Sequence, residues 1–333
     1  MINVGVIGAG RIGKIHTKTI QEKVYGVRVK IVADIFINSA QKLAEEYGIE
    51  NYTDNYLEIL NDPEIQAVII CSSTDTHAKI SIEAAQKGKH IFCEKPIDYN
   101  VGMINRTLEE VKKAGIKYQV GFNRRFDHNF SKIRDVIESG KIGEPHIIKI
   151  TSRDPQAPPV EYVKVSGGMF LDMTIHDFDM AAFLSGSKIT EVYTQGACRI
   201  NPEIGEAGDV DTAIVSLKFE NGCIGVIDNS REAAYGYDQR VEVFGSKGYV
   251  KAENDTDTTV TIASKDGIIS EKPKYFFLER YMESFISEMK QFFECIVEDK
   301  EVPVNATDGL NSVLVGLAAT KSLKEGQPVK IEG

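Results

Sequence analysis

No stretch of this 333-residue chain is apolar for long enough to cross a membrane, and its strongest run, Ala67-Val68-Ile69-Ile70-Cys71, has only strand length. Positive charge is in deficit: 39 Lys and Arg face 49 Asp and Glu, a formal net charge of -10. That balance opposes broad contact with nucleic acid or anionic membrane and makes a small ligand the expected partner. Cysteine is sparse. The five thiols, Cys71, Cys93, Cys198, Cys223 and Cys295, are odd in number, widely spaced and form no C-x-x-C pair. Neither a disulfide framework nor a cysteine metal or redox site is indicated, and buried thiols in a reducing cytoplasm are the expectation. Internal repeats and low-complexity tracts are absent. The first apolar run opens almost at once, with no basic and apolar leader ahead of it, so export is not expected.

What is present is a chain long enough, at 42% apolar residues, to bury more than one core. Up to residue 122, short continuous apolar runs at 4–7, 27–33, 67–71, 90–93 and 118–122 alternate with helix-period stretches at 39–47, 77–86 and 101–114. Such runs suit a doubly wound parallel sheet buried on both faces. From residue 146 the pattern becomes alternating strands (146–151, 191–195, 212–219, 223–228, 239–244 and 258–263) separated by turn signals such as Glu220-Asn221-Gly222 and Lys265-Asp266-Gly267. The expected architecture is therefore α/β. A Rossmann-type domain (1–122) precedes an α+β domain (123–333) with a mostly antiparallel, open-faced sheet. Helices at about 172–184, 277–297 and 309–323 cover one sheet face and return the chain toward the first domain. The uncovered face suggests homo-oligomerisation.

The first chemical signal is Gly8-Ala9-Gly10-Arg11-Ile12-Gly13, placed between a strand and a helix, with Asp34 ending the next strand 21 residues beyond Gly13. Gly8 permits a tight turn, Gly10 lets backbone approach a pyrophosphate, and Gly13 lets the helix lie close to the sheet. The phosphates then meet free N–H groups at a helix N-terminus. A carboxylate at Asp34 suits the two adenosine ribose hydroxyls and repels a 2′-phosphate, which selects NAD. Arg11, in the loop itself, leaves some NADP use open. Ser72, Ser73, Thr74 and His77 follow a strand and line the expected cofactor cleft, with helix capping as their structural alternative.

A second cluster, Glu94-Lys95-Pro96, follows the strand at 90–93, at the carboxyl edge where ligands of open parallel sheets bind. A half-buried Lys95 can hydrogen-bond a hydroxyl and stabilise charge developing on oxygen as hydride leaves carbon. A third holds Asp172 and His176, four apart in a predicted helix and hence on one face, among apolar Phe170, Leu171 and Ile175. A histidine oriented by a carboxylate suits removal of a hydroxyl proton. The structural alternative is an acid on the helix dipole beside a packed histidine. No third and fourth ligand stand at metal-site spacing, so no metal is expected. Polar residues at strand ends and turns, including Arg124, Arg153, Asp154, Tyr235 and Tyr237, suit recognition of several hydroxyls, or surface ion pairs.

Together, the Gly8 to Gly13 fingerprint, Glu94-Lys95-Pro96 and Asp172 with His176 resemble the glucose-fructose oxidoreductase and inositol dehydrogenase (Gfo/Idh/MocA) superfamily over essentially the whole chain. Gly121-Phe122-Asn123-Arg124-Arg125-Phe126-Asp127, the segment from Gly168 to Asp179, and Tyr235-Gly236-Tyr237-Asp238 are most similar to the bacterial inositol 2-dehydrogenases. The resemblance implies a cytoplasmic, commonly tetrameric oxidoreductase of polyol catabolism that converts myo-inositol to scyllo-inosose while reducing NAD. It implies Lys95, Asp172 and His176 as the catalytic group, Arg124 and Tyr237 as substrate contacts, and Glu94 at the nicotinamide ribose. Another cyclic polyol or sugar, such as scyllo-inositol, chiro-inositol or a pyranose, an NAD-dependent glycoside hydrolase, and a sensor without turnover remain open alternatives.

Overall fold

The computed structural model describes residues 1–331. The chain divides into two compact units: Met1–Phe126 with Ser284–Leu310, and Asp127–Glu283 with the residues from Asn311 onward.

In the first unit the sequence alternates β1 (Ile2–Ile7), α1 (Arg11–Lys23), β2 (Val27–Ala33), α2 (Ile37–Tyr47), β3 (Asn51–Thr53), α3 (Tyr56–Asn61), β4 (Ala67–Ile70), α4 (Thr74–Gln86), β5 (His90–Cys93), α5 (Val101–Ala114) and β6 (Tyr118–Val120). All strand pairs are parallel, in the order β3-β2-β1-β4-β5-β6. The strand order reverses between β1 and β4, and in such sheets that crevice receives the ligand. β4 is buried at every position, which is why its sequence is unbroken Ala-Val-Ile-Ile. Helix ends follow local chemistry: the Asn100 side chain accepts the Met103 N–H at the start of α5, and Gly115 closes it in the left-handed region at φ 65°.

The second unit contains α6 (His128–Glu138), β7 (Pro145–Arg153), α7 (Val160–Val163), α8 (Met169–Asp172), α9 (Ile175–Ser185), β8 (Ile189–Ala197), α10 (Pro202–Glu206), β9 (Thr212–Phe219), β10 (Ile224–Ser230), β11 (Asp238–Gly245), β12 (Gly248–Ala252), β13 (Thr261–Ser264), β14 (Gly267–Ser270) and α11 (Phe277–Arg280). Next come α12 (Met282–Val297), most of which belongs to the first unit, α13 (Ala306–Glu325) and β15 (Val329–Lys330). The large sheet runs β12-β11-β7-β10-β9-β8-β15 and is antiparallel except for the pair β7 and β10. Its alternation is plain in β9, where Ala213, Val215, Leu217 and Phe219 are buried and Ile214 and Lys218 point outward. The outward face carries an apolar row in register across four strands, Tyr249 beside Phe244, Phe244 beside Ile147 and Ile147 beside Ile224.

Several boundaries differ from the sequence expectation: the helix expected at 277–297 is interrupted at Tyr281, and the strand expected at 258–263 is β13, which pairs only with β14 in a sheet of its own. The predicted second domain at 123–333 contains residues 123–126 and 284–310, which belong to the first unit instead. The reason is packing: Met289, Phe292, Phe293, Cys295 and Val302 share one core with Val4, Val6, Val29, Val32, Ile69 and Phe92. The helix predicted at 172–184 is also broken. Thr174 bonds through its N–H to the Met169 carbonyl five residues back, and its buried hydroxyl donates to Asn229 Oδ1 at 2.7 Å, so α8 ends at Asp172 and α9 begins at Ile175.

Candidate active site

In the first unit, a cavity of about 500 Å³ opens at the reversal point of the sheet, within the size range of small-molecule sites. Its walls include Gly8, Ala9 and Gly10 after β1, Asp34, Ile35 and Phe36 after β2, and Cys71, Ser72 and Ser73 after β4. Gly8 turns there at φ 103°, and a Cβ on it would lie 2.5 Å from the Cys71 carbonyl carbon and oxygen. On Gly13 a Cβ would fall 1.9 Å from the Gly8 carbonyl oxygen, so both positions need glycine for α1 to start where it does. A Cβ on Gly10 meets nothing within 4 Å, leaving that backbone open.

Asp34 is built into the same loop. Its Oδ2 accepts the Ala9 N–H at 2.7 Å and its Oδ1 the Phe36 N–H at 2.9 Å, while each oxygen keeps a lone pair for a further donor. These residues fit a dinucleotide, with the adenosine ribose at Asp34 and the diphosphate at Gly8 and Gly10. Arg11, Ile12 and Gly13 open α1, Ser73 stands at the N-cap position of α4 and Thr74 opens it. None of Arg11, Ile12, Gly13, Thr74 and His77 is a wall residue of the cavity. The His77 ring is buried, and its nitrogens meet the carbonyl oxygens of Pro96 and Ser72.

Glu94 and Lys95 leave β5 at the same carboxyl edge, and the Lys95–Pro96 peptide is cis. His16 of α1, fully buried, meets Glu94 Oε1 through Nε2 at 2.7 Å. A Cβ on Gly121 would touch the same carboxylate at 3.0 Å. Glu288 of α12 shares a helix face with Phe285 and Phe292, which pack on His16 and on Phe92. Burial, and then the charge of Glu94, push the Glu288 carboxyl well above its ordinary range. The sequence reading missed His16 and Glu288. In the sequence, the visible signal is a single acid within the apolar stripe Phe285, Met289 and Phe292.

The second unit holds Asp172 and His176. Asp172 ends α8, accepting the Tyr162 hydroxyl on Oδ1 at 2.8 Å and the Arg231 guanidinium on Oδ2 at 3.3 Å. Arg231 is 1% exposed and also reaches Asp209 at 3.5 Å, and Asp209 accepts the Met169 N–H that starts α8. Neither Tyr162 nor Arg231 stood out in the sequence, where Arg231 is 59 residues from Asp172. His176 lies in the first turn of α9, beyond the break, so the shared helix face expected for Asp172 and His176 does not exist. Below it, Asn229 binds Thr174, Asp177 and the Ser152 carbonyl, a fully buried polar brace.

The expected substrate group separates. Arg124 is buried in the short 3-10 turn Asn123–Phe126 of the first unit. Asp154 follows β7 and donates its N–H to the Ser230 carbonyl; Tyr237 is buried, edge-on to Tyr281. Arg153 departs from the expectation. Register places Ser152 and Asn229 toward α9 and therefore Arg153 and Ser230 on the opposite face. There Arg153 is tied to Asp228 and to the Tyr235 hydroxyl, and Tyr235 in turn to Asp238. The Arg153 and Tyr235 side chains thus belong to an ion-pair network braced by Arg240, which binds Asp238 at 2.7 Å. Among the described residues, no cluster of His, Cys, Asp and Glu could hold a metal, and no helix is long and apolar enough to cross a membrane.

Two family models match the chain. The oxidoreductase family NAD-binding Rossmann fold covers residues 2–122, and the GFO/IDH/MocA C-terminal domain covers residues 130–251. Among relatives, the chain is 49% identical to an uncharacterized oxidoreductase, YrbE, of Bacillus subtilis (strain 168), covering 99% of this chain and 97% of the other. It is 46% identical to a myo-inositol 2-dehydrogenase of Thermotoga maritima, over 99% of both. The crystal structure of scyllo-inositol dehydrogenase from Lactobacillus casei with bound NAD(H) and scyllo-inositol superimposes with a TM-score of 0.93 at 30% identity, covering 99% of each chain.

Proposed function

This chain belongs to the GFO/IDH/MocA family of oxidoreductases and is a dehydrogenase acting on CH–OH, and from that premise we propose that it oxidises myo-inositol to scyllo-inosose with NAD. The observation that carries the reading is the end-to-end likeness to the Thermotoga myo-inositol 2-dehydrogenase, in a chain that holds Lys95, Asp172 and His176. NAD, when bound, would supply the hydride acceptor, held by the glycine loop, Asp34 and the Ser72 turn. The fit of Asp34, with both oxygens oriented by backbone N–H groups, supports the nonphosphorylated ribose.

The residues then divide the proton chemistry. His176 takes the proton of the reacting hydroxyl, and Lys95 donates a hydrogen bond to the same oxygen, steadying its developing charge. Asp172 tunes and orients this pair, and Arg231 with Tyr162 fixes the carboxylate so that it needs no reorganisation during the step. Arg124, Asp154 and Tyr237 are the proposed contacts to the remaining hydroxyls, and Glu94 to the nicotinamide ribose.

The apolar row Tyr249, Phe244, Ile147 and Ile224 on the outward sheet face supports a homo-oligomer, with a tetramer favoured; light scattering of the purified protein reads the mass directly. Substrate choice is tested by following NADH absorbance with myo-, scyllo- and chiro-inositol, glucose and galactose, using NAD and NADP in parallel. Fastest turnover of myo-inositol with NAD is expected. Activity confined to another polyol keeps the chemistry and replaces the substrate. Binding without turnover on any of them favours a sensor.

A further inference from the structure

His77 lies in the first turn of α4, and only 2% of it is exposed. Both ring nitrogens face backbone carbonyl oxygens: Nδ1 that of Pro96 at 2.8 Å, and Nε2 that of Ser72 at 3.0 Å. A neutral imidazole has one N–H and one lone pair, so it can satisfy only one of these acceptors. Its lone pair would then point at a carbonyl oxygen, which is repulsive and leaves that oxygen without the ring's donor. An imidazolium has an N–H for each. The one neighbouring side chain that could donate, the Cys93 thiol, directs its proton to the Glu94 carbonyl at 3.3 Å, so the two backbone acceptors call for two ring protons.

The surroundings agree. The titratable group acting on the ring is Cys93 of β5; the other hydrogen-bonding neighbours are the Pro96 and Ser72 carbonyls themselves. Burial opposes the charged ring, while Cys93 and the two carbonyls favour it and hold the His77 pKa above its ordinary value. The positions of the carbonyls give the arrangement its use. Ser72 is in the turn after β4 that walls the cofactor cavity, and Pro96 directly follows Lys95. Both segments lie outside any helix or strand, so no ladder holds these carbonyls in place.

We propose that His77 is a buried imidazolium that clamps the Lys95–Pro96 segment to the Ser72 turn, and that it is the positioning residue for Lys95 in the dehydrogenase reaction. The clamp rests on the reading of Lys95 given above. Charge-assisted bonds hold both loops at once, and this leaves Lys95 with one backbone setting.

The test uses the full-length protein labelled with 15N-histidine. Long-range proton–nitrogen spectra distinguish an imidazolium, whose two ring nitrogens are both protonated and have similar shifts, from a neutral ring, whose two nitrogens differ widely. The chain has 6 histidines, so the His77 signal is assigned by its loss in His77→Gln. A doubly protonated ring at neutral pH is expected, and a single ring proton there overturns the clamp. Kinetics test the positioning half. His77→Leu should lower kcat about a hundredfold with the KM for NAD changed by less than about threefold, and His77→Gln, which keeps amide donors, should recover about tenfold of that loss. Unchanged kcat in His77→Leu overturns the positioning role. A wild-type protein that binds NAD but oxidises no polyol overturns the Lys95 reading, and the positioning role with it, while the spectrum still decides the charge of the ring.

Discussion

The Arg231 guanidinium, buried just past the end of β10, holds Asp172 Oδ2 at 3.3 Å and so fixes a carboxylate that the sequence presents as standing alone. Removing one partner of such a pair leaves buried charge without compensation. Arg231→Leu is expected to cost about 3–5 kcal/mol of stability and to lower kcat by at least about a hundredfold, with Arg231→Lys intermediate in both. Thermal unfolding alongside steady-state rates checks this, and normal turnover in a folded Arg231→Leu protein would show that Asp172 needs no such support.

Lys95→Ala and His176→Ala should each lower turnover by about 10²–10⁴-fold, the usual range for a positioned proton donor or acceptor. Dinucleotide affinity, measured by fluorescence titration, should stay within about threefold. Either mutant with wild-type turnover removes that residue from the mechanism.

Cofactor choice should follow Asp34. Asp34→Ser is expected to weaken NAD and improve NADP, narrowing the ratio of their kcat/KM values by about tenfold or more. Part of the loss with NAD will come from the released Ala9 N–H, which Asp34 now binds at 2.7 Å. Arg11→Ala, compared with both cofactors, shows whether the loop arginine contributes; a selective fall with NADP assigns it to the phosphate.

Glu288 sets a pH dependence of stability. Its folded-state pKa lies above the ordinary value of 4.5, chiefly through burial, so the folded protein keeps a proton that the unfolded chain releases. Stability therefore falls as pH rises above about 4.5 toward the folded-state pKa. Glu288→Gln should raise the melting temperature by several degrees at neutral pH and change little near pH 4, giving a flatter profile. Equal shifts at both pH values would assign the effect to packing instead.

The glycine loop, Asp34 and the parallel strands were legible because their physics is local: a continuous apolar run of four to seven residues bounded by turn signals suits a buried strand, and Gly13 is forced by one contact with its own turn. The hairpins of the second sheet were legible for the same reason. β3 and α3 escaped notice because Asn51–Thr53 is too short to show a period. The break between Asp172 and His176 depends on Asn229, 55 residues from Thr174, and the brace on Asp172 depends on Arg231. Distant partners of this kind leave no mark in spacing. Arg153 and Tyr235 looked like substrate contacts as polar groups near strand ends, and only register reveals that Arg153 faces away from α9.

The aromatic layer of α12 has a consequence for how the chain is born. A ribosome that has finished β6 has delivered every strand of the first sheet, yet Met289, Phe292, Phe293 and Val302, which close the core around Val4 and Phe92, are still to be translated. At about 5–20 residues per second, the nascent sheet waits roughly 10–40 s with that apolar surface uncovered. During synthesis, the N-terminal half of this chain is a natural client for a ribosome-associated chaperone, and a fragment ending after β6 is a poor choice for expression on its own.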